Sequence, residues 1–166
     1  MRSTPSWWGV KVRRFRAHVR ANVAPAERSE LATWVSPRQL ALFNSMHVAD
    51  QRHGIDVVAE MRAAGVDSRD ALLAGLLHDA GKGSTGVWPR VAYALGDHYG
   101  PWIWRVAELL PGLGMDLRRL QGHAEASASL AAAAGCPERT VALIRDQGAP
   151  QDPEFGELLR LADEAN

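Results

Sequence analysis

Hydrophobic positions recur along this chain at helical spacing, and no period-two alternation persists long enough to make a strand. Trp8, Val12, Phe15 and Val19 form the first stripe and predict a helix over about residues 6–22, with Lys11, Arg13, Arg14, Arg16 and Arg20 spread around it. Ser36 before Pro37 is an N-cap with proline at the first helical position, opening a helix through Leu40, Leu42 and Phe43. A longer helix over about 47–64 stops at Gly65. Asp67 and Asp70 stand where a capping box would start the next helix, a leucine-rich run ending in Leu76-Leu77-His78-Asp79. After a Gly/Ser/Thr loop, helical patterns recur near 88–97 and 101–110, break at Pro111-Gly112-Leu113-Gly114, and resume near 120–134 and 138–147. A last helix runs from about 153 to the C-terminus. The expectation is an all-α, single-domain bundle of about eight or nine helices. Residues 1–35 read as a helical extension packed on the bundle, and 36–166 as the bundle itself.

Several polar residues fall on faces that the pattern assigns to the core. Leu72, Leu76 and Asp79 lie at i, i+4 and i+7, so on an unbroken helix they share one face. A carboxylate there loses its hydration, which costs several kcal/mol unless a cation or hydrogen-bond donors replace the water. His78 borders the same surface. His53 opens a stripe with Val57 and Met61, and His123 precedes Ser127, Leu130, Ala131 and Ala134. Asp163 follows Phe155, Leu159 and Ala162 near a helix C-terminus, where the helix dipole disfavours an acid. One histidine on an apolar face is more often a hydrogen-bonded core residue than a ligand. Four helices that each turn a His or Asp inward argue for a shared cation. Mixed imidazole and carboxylate ligands suit a divalent Mn, Fe, Co or Zn, with Mg also compatible.

Composition adds exclusions. Nineteen Lys and Arg balance nineteen Asp and Glu, so no net field draws nucleic acid or an anionic membrane. No apolar run reaches the roughly 18–20 residues of a membrane span, and the N-terminus lacks a secretory pattern. The single cysteine, Cys136, leaves no internal disulfide and no Cys-x-x-Cys zinc motif. Together these predict a cytoplasmic protein. The basic first helix would suit a membrane surface, an acidic partner or nucleic acid, but docking of its apolar stripe on the bundle is the simpler expectation.

The segments Gln51-Arg52-His53-Gly54, Leu76-Leu77-His78-Asp79-Ala80-Gly81-Lys82 and Leu159-Arg160-Leu161-Ala162-Asp163 resemble the HD-domain metal-dependent phosphohydrolases. That family's pattern is a His, then His-Asp, then a distant Asp, and the resemblance spans roughly residues 40–166. It implies an all-α fold in which His53, His78, Asp79 and Asp163 hold one divalent metal. It also implies hydrolysis of a nucleotide or related phosphate mono- or diester by a metal-activated water. Asp79 would then double as acceptor of the water proton. Lys82 is the first candidate for phosphate contact and catalysis, with Arg90 and Arg52 as further substrate-binding candidates.

Some members carry a second metal. His123, in Gly122-His123-Ala124-Glu125, resembles the first of the extra ligands. Near Ile144-Arg145-Asp146-Gln147, where the next histidine is expected, Asp146 is the substitute and Gln147 a poorer one, and Ser127 replaces a usual glycine. The resemblance therefore implies one metal, with His123 and Asp146 as second-metal or supporting groups. These departures keep open a second reading, a catalytically silent HD-type module that binds a nucleotide or a protein partner. The sequence alone also admits a purely structural bundle with core histidines. Substrate identity and self-association stay open.

Overall fold

The reciprocal cap predicted at Ser36 forms. The Ser36 hydroxyl accepts the Gln39 N–H (3.3 Å) and the Gln39 side chain accepts the Ser36 N–H (2.9 Å), with Pro37 at the first helical position. The structure is a computed structural model that describes residues 21–83, 95–96, 99–100, 102–107, 114, 120 and 122–166. Among these residues every regular element is helical. In chain order they are α1 (Pro25–Leu31), α2 (Pro37–Ser45), α3 (Val48–Ala63), α4 (Arg69–Leu77), a 3-10 turn (Ala80–Lys82), α5 (Trp102–Ala107), α6 (His123–Ala133), α7 (Glu138–Arg145) and α8 (Gly156–Ala165). Of the helix predicted over about 6–22, all but residues 21 and 22, which are not helical, lies outside the described residues, as does most of the 88–97 pattern, Arg90 included. No helix among those described is long and apolar enough to cross a membrane.

α4 is the centre of the bundle. Its segment Ala71–Leu77 is buried on all sides, as a helix apolar around its whole circumference must be. α3, α7 and α8 pack around it, with α2 touching one side, and α6 lies across the 3-10 turn and α7. Phe43, Val57, Met61, Leu73, Leu76, Leu77, Ile144 and Leu159 fill the core between them.

Two glycines let α3 approach α4. A Cβ on Gly54 would lie 2.5 Å from the Leu76 carbonyl oxygen, and one on Gly75 would lie 2.9 Å from Met61 Sδ. The Gly54 contact is with backbone and leaves no room for a methyl group, whereas at Gly75 the Met61 side chain would have to shift. The close crossing sets His53, next to Gly54, beside His78: their rings meet edge to face with centroids 5.2 Å apart.

α4 starts differently from the expectation. Ser68, not Asp67, is the residue at its cap, and no side-chain cap bond forms there. Tertiary bonds anchor this end instead. Arg69 donates to the Trp34 carbonyl (2.8 Å) and to Gln39 Oε1 (3.1 Å), and the Thr140 hydroxyl donates to the Asp70 carbonyl (2.9 Å).

α8 begins at Gly156, later than predicted, because Asp152 first caps the Glu154 and Phe155 N–H groups (3.0 and 2.9 Å). Arg139 grips Asp152 through two nitrogens (2.7 and 3.0 Å) while its guanidinium lies 4.6 Å from the Phe155 ring centroid. This clamp ties the start of α7 to the start of α8 and so fixes the position from which Asp163 projects. α1, which the hydrophobic pattern does not single out, is joined to α3 by Arg52–Glu27 (2.5 Å) and Arg62–Glu30 (3.0 Å) ion pairs.

Candidate metal centre

The last carbonyls of any α-helix lack intrahelical donors, and the end of α4 meets this need with a histidine. His78, at the cap with φ −57° and ψ −26°, donates Nδ1–H to the Gly75 carbonyl at 2.9 Å. A carbonyl only accepts, so Nδ1 carries a proton in either charge state and Nε2 is the nitrogen that faces the other elements. Nε2 lies 3.4 Å from both Asp79 Oδ1 and Asp163 Oδ1.

Asp79 is not the next residue of the leucine face. The helix stops at Leu77, and Asp79 adopts φ −99° and ψ 5° as the chain turns into the 3-10 segment. Its carboxylate is nonetheless buried, with only 2% of the residue exposed. The register argument therefore predicts the burial of Asp79 but not the backbone that produces it. A buried carboxylate was expected to need a cation, and Lys82 supplies one: its Nζ stands 2.6 Å from Asp79 Oδ2.

Gly81 holds this turn in place. Its N–H donates to Ser127 Oγ at 2.8 Å, and a Cβ there would lie 2.5 Å from the His123 carbonyl oxygen and 2.6 Å from Ser127 N. The turn is thus pressed onto the first residues of α6. That contact delivers His123, whose Nδ1–H donates to the Leu120 carbonyl (2.6 Å) and whose Nε2 lies 3.7 Å from Asp79 Oδ1.

From α3, His53 Nε2 reaches Asp163 Oδ1 on α8 at 2.7 Å and Asp79 Oδ2 at 4.0 Å. His53, His78 and Asp163 offer ligand atoms all within 4.8 Å of one another, a group able to hold a metal ion. Two atoms at its heart, His78 Nε2 and Asp79 Oδ1, are buried without a hydrogen-bond partner. Buried polar atoms are rarely left so. Once the ring is neutral, His78 Nε2 offers a lone pair beside a carboxylate oxygen, the donor set a divalent first-row cation satisfies, so these residues fit a metal.

The remaining candidates separate. Asp146 caps the end of α7 and, among the described residues, makes no ion pair. Its neighbour Gln147 donates Nε2 to the His78 carbonyl at 3.3 Å, steadying the backbone that bears the ligand. Arg52 is held by Glu27 (2.5 Å) and Asp56 (2.9 Å). Gln147, weighed in the sequence only as a poorer ligand candidate, and Ser127, read there as a replaced glycine, act through hydrogen bonds to the backbone of the site. Their hydrogen bonds span 69 and 46 residues of chain and leave no local spacing signal.

Charge in the centre is strongly coupled. Burial would raise the Asp79 carboxyl, but His78 and Lys82, helped by His53 and His123, hold it well below the usual carboxylate range. Burial would likewise raise Asp163, and the His53 hydrogen bond together with the nearby His78 and His53 charges outweighs it and holds that carboxyl low. His78 is pushed down by burial but pulled up more strongly by Asp79 and Asp163, to about 9. Burial and the Lys82 charge lower His123.

These shifts give a pH dependence for the protein without metal. His78 binds its proton more tightly in the folded chain (about 9) than at its ordinary 6.5. That stabilisation is complete below pH 6.5 and is lost as the pH rises through about 9. The two carboxylates act at the other end: their contribution is present above the ordinary carboxylate range and is lost in acid. In the presence of a chelator the melting temperature should fall between pH 6.5 and 9, and a flat or rising Tm across that window would contradict the coupling.

No protein-family model, curated protein or solved structure matches this chain.

Proposed function

We propose that the chain is a metal-dependent phosphohydrolase of the HD type, acting on a phosphorylated small molecule such as a nucleotide. The observation that carries this reading is the pair of unpartnered buried atoms, His78 Nε2 and Asp79 Oδ1, set beside His53, Asp163 and the Lys82 ammonium. His53, His78, Asp79 and Asp163 would hold the divalent ion, with His123 adjacent. Such an ion, when bound, polarises a phosphoryl oxygen and lowers the pKa of a bound water.

The chain's own residues supply the rest. Lys82, partly exposed beside Asp79, would meet a non-bridging phosphate oxygen as negative charge builds there. The resemblance suggests Asp79 as acceptor of the water proton, but a carboxyl held so acidic is a weak base. His123 is the better acceptor: burial keeps it neutral near pH 7, and Leu120 fixes its proton on Nδ1 and leaves Nε2 open. Arg52 would reach a substrate only by giving up Glu27 and Asp56. Its role as placed is to join α1 to α3.

A second reading, a catalytically silent module that binds a nucleotide or protein partner, is favoured by one observation. Where a further downstream histidine is expected the chain has Asp146, which ends α7, and Gln147, whose amide donates to the His78 carbonyl. Metal analysis of the purified protein, followed by a turnover screen, tests both. The screen would cross Mn, Fe, Co, Zn and Mg with nucleoside mono- and triphosphates, dinucleotides and simple phosphodiesters. Stoichiometric metal with turnover is the expected result. Stoichiometric metal without turnover on any substrate selects the silent module, and absence of metal binding overturns both.

A further inference from the structure

The centre contains a cation of its own. Lys82 Nζ lies 2.6 Å from Asp79 Oδ2, and the charges of Asp50 and Asp163 also act on it. His53 Nε2 approaches the same Asp79 oxygen, at 4.0 Å. The ammonium thus occupies one oxygen of a carboxylate whose other oxygen, Oδ1, faces His78. A divalent ion drawn to His53, His78 and Asp163 would meet Asp79 already neutralised. Resting on the metal reading above, we propose that Lys82 is the resident counter-cation of Asp79: it competes with a divalent metal for that carboxylate, and metal binding releases it to bind an anion.

Three features make the exchange feasible. The backbone need not move, because Gly81 is locked against α6 by its bond to Ser127 and by the absence of a Cβ. The Lys82 side chain has an exit, being 24% exposed, whereas Asp79 is only 2% exposed. A lysine is a flexible stem with a compact, strongly hydrated charge, so transfer from a carboxylate to water or to an anion costs little beyond the pair itself. Bringing a dication close to the ammonium also repels it, which drives the release. Metal and anion then bind with positive coupling, each favouring the arrangement the other requires.

The test is calorimetric titration of Mn2+ into wild type, Lys82→Met and Lys82→Arg, each repeated with inorganic phosphate. Lys82→Met should bind Mn2+ at least about tenfold more tightly than wild type, because the competing charge is gone. It should also lose the metal-dependent gain in phosphate affinity that wild type shows. Lys82→Arg keeps the charge and should stay within about threefold of wild type for the metal. Thermal melting gives an independent measure that tolerates a weakened fold. Lys82→Met should melt lower than wild type in chelator, where Asp79 is left buried without its cation, and should gain more from saturating Mn2+. Unchanged or weaker metal affinity in Lys82→Met, with wild type binding metal normally, overturns the competition and leaves the metal centre standing. Failure of both proteins to bind any divalent ion overturns the centre and the inference together.

Discussion

Asp79→Ala is expected to lose stoichiometric metal, with affinity falling more than about 100-fold, the upper range for changes in a metal site's supporting shell. Hydrolysis should disappear with it. The reasoning is electrostatic as much as coordinative. His78 Nε2 would lose one of the two carboxylate oxygens within 3.4 Å, and the centre would keep the Lys82 charge that Asp79 had balanced. The chain should still fold, because Lys82 is partly exposed and can withdraw its ammonium to water. Metal content per chain and turnover check this directly. Full turnover with stoichiometric metal in Asp79→Ala would remove Asp79 from the centre.

The second large effect arises away from any ligand. Gly54→Ala would place a Cβ 2.5 Å from Leu76 O, 3.2 Å from Leu76 C and 3.4 Å from Leu76 Cα. All three atoms are backbone, so no side-chain rotation relieves the clash and α3 must move off α4. Overpacking of this kind costs about 3 kcal/mol. The same shift pulls His53 from His78, so metal affinity should fall along with stability. Gly65→Ala is the contrasting control. It has nothing within 4 Å of the added atom and is strained only by its φ of +89°, which costs about 1–2 kcal/mol. Denaturant unfolding of the two variants separates these causes. Equal losses would mean that the α3–α4 crossing is not governed by Gly54.

What could be read from the sequence follows the range of the interactions involved. Ser36 and Pro37 announce α2 because a cap and its helix are neighbours in the chain. The helical periods of α3, α4, α6 and α7 are likewise local and match the described elements closely. α1 is marked only by Pro25 and by Glu27, whose side chain accepts the Ala24 N–H at 2.8 Å. With alanine at the cap position, the usual polar signal is missing. The ligand-type groups His53, His78, His123 and Asp163 stood out because each opens, borders or ends an apolar stripe. The rest depends on long-range contacts. Register places Asp79 on a helix that in fact ends two residues earlier, because the Gly75 carbonyl finds a better donor in His78 than in a further turn. Ser127 looked like a lost glycine, and only the fold reveals that its hydroxyl holds Gly81. Arg52 stands beside a ligand in sequence, yet its guanidinium is spent on Glu27 and Asp56.

The His53–Asp163 contact joins residues 110 apart in the chain. Its closure is among the costliest steps of chain ordering, since nothing local rewards it until α8 has docked. The centre therefore cannot preassemble on a fragment: α3, the end of α4 and α8 must all be in place before three ligand atoms converge. Metal uptake becomes a report on completed folding, and a bound ion would act as a staple across the longest loop it closes, adding its binding energy to the native state alone.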